Sequence, residues 1–290
     1  MGKAVGIIGN FSGKLGNAVG FKNSASNDGR TQGVRIYQPV VKNPKTYAQA
    51  AQRALMLPVN VTYRGFKDII DRGQEGISYG NKSRLAWLKK AMKQDLFPCL
   101  EKGSTDVSFM PCELTHGTLG PDTFSRSANV LFVFASISGQ APDLSTVGKV
   151  STILLANNAN LKEGDQLTLI GVGGSFYNMK VDIFSMVLKT DDNTAVSGFS
   201  VSEGVLTFNF AEITGANWGG RCAIISREGA GGAHQRSTSK LQFSDEWRNI
   251  YDDDEDPNLT LANAQKRAIR SYMTSGSNVD WPQEEISPNL

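Results

Sequence analysis

Two neighbouring runs, Gln166-Leu-Thr-Leu-Ile-Gly-Val172 and Tyr177-Asn-Met-Lys-Val-Asp-Ile-Phe-Ser-Met-Val-Leu188, decide the fold class. Both are short and rich in the β-branched and aromatic residues that fit a pleated surface. Turn chemistry surrounds them: Glu163-Gly164-Asp165 before the first, Gly171–Gly174 between them, and Asp191-Asp192-Asn193 after the second. Outward from this pair, runs of the same kind recur at Asn129–Ser136, Lys149–Ala156, Ala195–Val201, Val205–Phe210, Arg221–Arg227 and Ser237–Phe243, with Ser202-Glu203-Gly204 as a further turn. So many short strands in roughly 120 residues predict an immunoglobulin-like antiparallel β-sandwich over residues 127–247. The Cys–Trp–Cys core pattern of antibody domains is absent, so the expectation concerns architecture alone.

Upstream, residues 46–98 read as helical. Thr46 and Gln49 form a capping box, and the alanine-rich Tyr47–Leu57 follows, with Pro58 expected to end or kink that helix. A second helix is expected near Arg64–Asp71. A third, near Ser83–Leu96, would carry Leu85, Leu88, Met92 and Leu96 on its buried stripe. Residues 99–126 show little periodicity and read as a linker. Residues 1–45 hold glycines at 2, 6, 9, 13, 16, 20, 29 and 33, too many for a helix. They read as a basic, extended arm with short strands, Gly33–Val41 being one at an edge. Residues 248–290 read as an acidic linker and tail, with Thr260–Met273 as a small amphipathic helix bearing Leu261, Ala264, Ala268 and Tyr272. The fold class expected is therefore α+β: an extended arm and short helices, then the sandwich, then an acidic tail.

Charge is unevenly spread along the 290 residues. Residues 1–100 hold 16 Lys and Arg against 5 Asp and Glu, residues 101–240 hold 10 against 13, and residues 241–290 hold 4 against 10. A net +11 at the front and −6 at the back point to different partners for the two ends. The basic contact candidates are Lys3, Lys14, Lys22, Arg30, Arg35, Lys42, Lys45 and Arg53. Those of the tail are Asp252, Asp253, Asp254 and Trp281. The basic residues suit phosphates or an acidic protein surface, and no base-reading motif accompanies them. A solvated, self-balancing face is the competing reading.

Catalytic and cofactor motifs fail one by one. Gly9-Asn-Phe-Ser-Gly13-Lys14-Leu15 has three residues between its glycines where a phosphate loop needs four, and Leu15 replaces the magnesium-holding Ser or Thr. Gly171-Val-Gly173-Gly174-Ser-Phe176 lacks the last glycine and the βα flanks of a dinucleotide fingerprint and reads as a hairpin loop. Cys99, Cys112 and His116 lack the close cysteine pair of a zinc site. No Gly-x-Ser-x-Gly elbow occurs, and the acidic run Asp252–Asp256 lacks the spacing and glycine of a calcium loop. The three cysteines are expected to be free and mostly buried. No enzyme activity, cofactor or metal is expected. No apolar run of membrane-spanning length occurs, and the start of the chain has no signal-peptide core, so synthesis in a host cytoplasm is expected.

The string Gly9-Asn-Phe-Ser-Gly-Lys-Leu-Gly-Asn-Ala-Val-Gly20, then Arg35, Asn43-Pro-Lys-Thr46 and Gln49-Ala-Ala-Gln-Arg53, resembles a group of uncharacterised proteins of Bacteroidota and their phages. Their N-termini follow the pattern GxFSGKxGNxVG…R…NPxTxxQxxQR. The chain departs from that group in the polar Asn23–Asp28, where an aromatic cluster is usual, and in its acidic tail. The resemblance covers about residues 5–55 and carries no catalytic residue across. It implies a Bacteroidota or phage setting, in which this chain is expected to be a virion or assembly component and a homo-oligomer. It would contact other assembly proteins through arm and tail, without inserting in a membrane. The alternative is a nucleic-acid-binding protein using the basic N-terminal region.

Overall fold

A computed structural model describes residues 46–94, 97–105, 108–119, 142–175, 178–202, 204–210, 219–229, 234–243 and 261–273, with strand segments at 13–15, 18–22, 32–36, 125–126 and 132–136. The chain divides into two compact units, Met1–Lys45 and Thr46–Leu290. In the smaller, β1 (Gly13–Leu15), β2 (Ala18–Lys22) and β3 (Gln32–Ile36) form an antiparallel sheet in that order. Leu15 pairs with Ala18 and Gly13 with Gly20.

The larger unit is mixed helix and antiparallel sheet. It opens with α1 (Tyr47–Gly65), capped by Thr46, whose hydroxyl accepts from the Gln49 amide at 3.4 Å. The reciprocal half of the capping box is missing, since the Gln49 Oε1 is buried without a hydrogen-bond partner among the described residues. Pro58 does not end the helix. It lies inside α1 on the buried stripe Ala50, Ala54, Leu55, Pro58, Val59 and Thr62, and burial of that stripe offsets the one backbone bond that proline removes. The second helix is shorter than expected, α2 (Lys67–Ile70). The third, α3 (Asn81–Ala91), centres its inward face on Ser83, Trp87 and Ala91, which are buried; of the expected stripe Leu88 and Met92 are half-buried against the same core, Leu85 is 53% exposed, and Leu96 lies outside the described residues. Trp87 wins the inward position because it has more apolar surface to bury and because its indole N–H finds the Glu113 carbonyl at 2.9 Å.

Residues 99–126, expected as a linker, contribute Leu100, Phe109, Met110, Cys112 and Leu114 to the core. They also supply β4 (Glu113–Thr115) and β5 (Ser125–Arg126). β6 (Phe132–Ser136) follows. The run Lys149–Ala156, expected as a strand, is instead α4 (Val147–Asn157). Its β-branched residues suggest a strand, but Val147, Val150, Ser151 and Leu154 are the buried positions, a helical spacing. Then come β7 (Gln166–Ser175), β8 (Asn178–Val187), β9 (Phe199–Ser202), β10 (Val205–Phe208), β11 (Gly220–Glu228), β12 (His234–Arg236), β13 (Ser239–Lys240), β14 (Gln242–Phe243) and α5 (Leu261–Tyr272). The glycines Gly171–Gly174 lie within β7 and not in a turn; β7 and β8 stay paired out to Ser175 and Asn178.

The sheet β12-β11-β7-β8, with β14 also on β11, is central. Register fixes its two faces. Ile170 pairs with Ile183 and Cys222, and one residue earlier Leu169 pairs with Phe184 and Ala223. Ile170, Val172, Cys222 and Ile224 pack into a core with α1, α3 and α5. Leu167, Leu169, Met186, Ala223 and Ile225 pack into a second core with α4 and β10, the latter a member of the sheet β5-β6-β10-β9. β7 and β11 are apolar in both parities because both faces of this sheet are covered. Between the two sheets, Phe184, Phe199 and Phe208 meet with ring centroids 4.7 to 5.7 Å apart.

Candidate functional site

Chemistry-bearing side chains of the larger unit converge at the end of the central sheet where β12 begins. The loop after α2 forms one wall. Glu75 N donates to the His116 carbonyl at 2.9 Å and His116 N to the Gly73 carbonyl at 2.8 Å, strapping residues 73–75 to the end of β4. Gly73 sits too tight for a side chain, with a Cβ position 2.8 Å from the Leu114 carbonyl oxygen. Gly76 and Gly80 take positive φ of 73° and 81°, and Gly80 N closes the loop onto the Asp71 carbonyl at 2.8 Å. Between these two glycines Ile77 and Tyr79 are pushed into solvent, 37% and 47% exposed.

β12 forms the second wall, in register with the end of β11: Ser226 opposite Arg236 and Glu228 opposite His234. The His234 ring stands 5.4 Å from that of Tyr79. Arg236 is held by neutral acceptors, its Nε donating to the Arg72 carbonyl at 3.0 Å and another nitrogen to the Ser226 hydroxyl. Glu75 locks this wall to the first. One carboxylate oxygen accepts from Arg236 N at 3.0 Å and Thr118 N at 2.8 Å, the other from the Thr118 hydroxyl at 2.7 Å. Burial alone would raise this carboxyl, but the hydrogen bonds from Arg236 and Thr118, helped by nearby His116, hold it below the usual carboxylate range.

The third wall is the connection from α4 to β7. Gly164 turns at φ 89° and its N–H donates to the Leu188 carbonyl at 2.7 Å. Asp165, 1% exposed, receives Arg227 in a fork, Nε to Oδ1 at 2.7 Å and a terminal nitrogen to Oδ2 at 2.8 Å, and also accepts from Lys162 N. Glu163 accepts from the Thr190 amide and hydroxyl, which hold it below its ordinary range.

Two clefts open between these walls and share Arg72, Tyr79, His234 and Arg236. One, of about 730 Å³, runs out to Lys162, Gln166 and Val187. The other, of about 380 Å³, runs to Gln74 and Ile77. A separate cleft of about 610 Å³ is lined by Lys90, Lys93, Glu113 and Lys240; Glu113 Oε1 accepts from Lys90 Nζ at 2.7 Å and lies 2.9 Å from His116 Nδ1.

Of the contact candidates read from the sequence, Arg53 is the one whose side chain lies among the described residues, and it lines none of these clefts. Lys14, Lys22 and Arg35 lie in β1, β2 and β3, where Lys14 and Arg35 both pair with Val19 and Lys22 pairs with Gln32. Arg53 is exposed on α1. Lys3, Arg30, Lys42, Lys45, Asp252, Asp253, Asp254 and Trp281 lie outside the described residues. Burial pushes the thiols of Cys99 and Cys112 up to about 12, so both are protonated at neutral pH, and Cys222 is buried as well. Among the described residues no three His, Cys, Asp or Glu side chains group as a metal site, and no helix is long and apolar enough to cross a membrane. Arg72, Tyr79, His234 and Arg236 come from segments far apart in the chain, so no local motif announces them. The one signal is Gly76-Ile-Ser-Tyr-Gly80, an aromatic residue displayed between two turn glycines.

Set against known protein families, curated proteins and solved structures, the chain matches none.

Proposed function

We propose that this chain is a non-enzymatic assembly protein, of the kind that builds a phage particle, contacting its neighbours through its N-terminal arm and C-terminal tail. The separateness of Met1–Lys45 as a compact unit carries this reading. Small units with few residues have little apolar surface to set against their ordering entropy, and they gain stability from a partner. The outer strands β1 and β3 of the Met1–Lys45 sheet each have one neighbour among the described strands, which leaves edges for pairing. The arm is basic and the tail acidic, so the tail of one copy complements the arm of the next, with Asp252, Asp253, Asp254 and Trp281 as its contact residues. The resemblance of residues 5–55 to Bacteroidota and phage proteins supports the virion setting. In the same reading residues 127–247 are a sandwich of immunoglobulin-like kind, supported by two antiparallel sheets around Phe184, Phe199 and Phe208, with α4 as an addition to that plan.

The test is size-exclusion chromatography with light scattering at low and high salt. The comparison sets the full chain against chains lacking residues 1–45 or 252–290. The expected result is a protein-only multimer that falls apart when either segment is removed. A multimer unchanged by both truncations would sink the proposal. A second reading, sequence-independent nucleic-acid binding, is favoured by the row Lys14–Val19–Arg35 across the small sheet. It predicts that changing Lys3, Lys14, Lys22, Arg30 and Arg35 to Ala lowers DNA affinity and flattens its salt dependence.

A further inference from the structure

The paired clefts at the start of β12 have the composition of a ligand site. Two arginines, Arg72 and Arg236, line both clefts, and among the described residues neither has a carboxylate partner. The acids nearby are already occupied: Asp165 by Arg227, Glu163 by Thr190, and Glu75 by Thr118 and the Arg236 amide. Of the acids lining these clefts, Glu228 is exposed and has no hydrogen bond or ion pair of its side chain among the described residues. A guanidinium offers planar forked donors that match phosphate oxygens, and Arg236 is oriented before any ligand arrives by its bonds to Arg72 and Ser226.

Beside these cations the Tyr79 and His234 rings form a tilted pair at 5.4 Å, with nearly half of Tyr79 open to solvent. An exposed aromatic surface next to arginines is a platform for a flat ring. Gln74 adds an independent sign. It is 3% exposed, it lines the smaller cleft, and its amide nitrogen has no hydrogen-bond partner among the described residues. Buried polar groups are ordinarily paired, so a buried donor at a cleft wall is a place where a ligand acceptor gains most. The volumes, about 380 and about 730 Å³, fall within the range of small-molecule sites. A nucleic-acid strand fits less well, because its successive phosphates would have to pass Glu163 and Glu228.

We propose that this cleft binds a small phosphate monoester bearing a flat ring, of nucleotide-like chemistry, with the phosphate on Arg72 and Arg236 and the ring against Tyr79 and His234. The inference stands apart from the assembly reading, which uses other segments.

Titration calorimetry on the full chain at low salt tests it, with uridine monophosphate, uridine, inorganic phosphate and benzoate as probes. Uridine monophosphate is expected to bind more tightly than any of the other three. Arg72→Ala and Tyr79→Ala change exposed side chains, and each is expected to weaken that binding about tenfold while leaving the thermal melt in place. Absence of binding at millimolar nucleotide overturns the proposal. So does inorganic phosphate binding as tightly as the nucleotide, because the ring then contributes nothing. Benzoate binding as tightly assigns the cleft to carboxylates and overturns the phosphate. An unchanged affinity in both variants places the ligand elsewhere.

Discussion

Gly117 and Glu75 show how much of the cleft's geometry depends on single atoms. A Cβ on Gly117 would run into the Arg236 carbonyl oxygen and the Glu75 carboxylate. Both are fixed, the first in β12 and the second by its hydrogen bonds to Thr118 and Arg236. Gly117→Ala is therefore expected to cost about 2 kcal/mol or more, read by urea denaturation, because neither neighbour is the free end of a flexible side chain. Glu75 also gives the junction a pH dependence. Its folded pKa lies below its unfolded value, so its stabilisation is full above the unfolded carboxylate range and is lost as pH falls through that range toward the folded pKa. The stability gap between the natural chain and Glu75→Gln is thus expected to be widest at neutral pH and to narrow by pH 3. A gap that stays constant from neutral pH to pH 3 would mean that the carboxylate's charge adds nothing to the junction.

At the scale of elements, α3 is the sharpest case. Helical spacing allows two inward stripes there, Leu85–Leu88–Met92 and Ser83–Trp87–Ala91; the second is buried, while of the first Leu88 and Met92 flank the core and Leu85 faces solvent. Trp87→Ala is expected to cost about 3–5 kcal/mol and Leu85→Ser to stay within about 0.5 kcal/mol, both measured by chemical denaturation. Comparable costs would restore the leucine stripe. The same helix shows what a sequence can and cannot disclose. Periodicity finds a helix but leaves its inward face open wherever two faces carry apolar residues, and the choice is made by partners such as the Glu113 carbonyl, distant in the chain. Where one stripe dominates, as in α5 with Leu261, Ala264 and Ala268, the face is readable. The turns at Gly164 and Gly204, both at positive φ, were legible because their signals are local, whereas the Gly171–Gly174 signal ended the first strand of the β7–β8 hairpin too early, since β7 runs on to Ser175. Propensity misleads at α4, whose β-branched residues meet a core that takes them at helical spacing. The cleft was hidden for a related reason: β12 joins β11 by backbone pairing, Leu119 through the Arg236 carbonyl, and the loop after α2 through the Glu75 and Arg236 side chains, and none of these links leaves a mark in the intervening sequence.

Across the larger unit, the central sheet ties the helices to the second sheet. β7 alone places Ile170 and Val172 in the helical core and Leu167 and Leu169 in the other, with all four fully buried. Neither core can lose its wall without stripping the strand that the other needs, so the two are expected to unfold together. Ile170→Ala and Leu169→Ala probe the two faces through adjacent residues of one strand. Each is expected to cost about 2–5 kcal/mol. Each should also move the entire unfolding transition, with circular dichroism and tryptophan fluorescence giving coincident curves. A helical segment folding independently of the strands that follow it would instead give two transitions, and Leu169→Ala would shift only the one that does not report on Trp87. The register Leu169–Phe184–Ala223 beside Ile170–Ile183–Cys222 argues for the single transition, because backbone bonds along the same strands hold both rows.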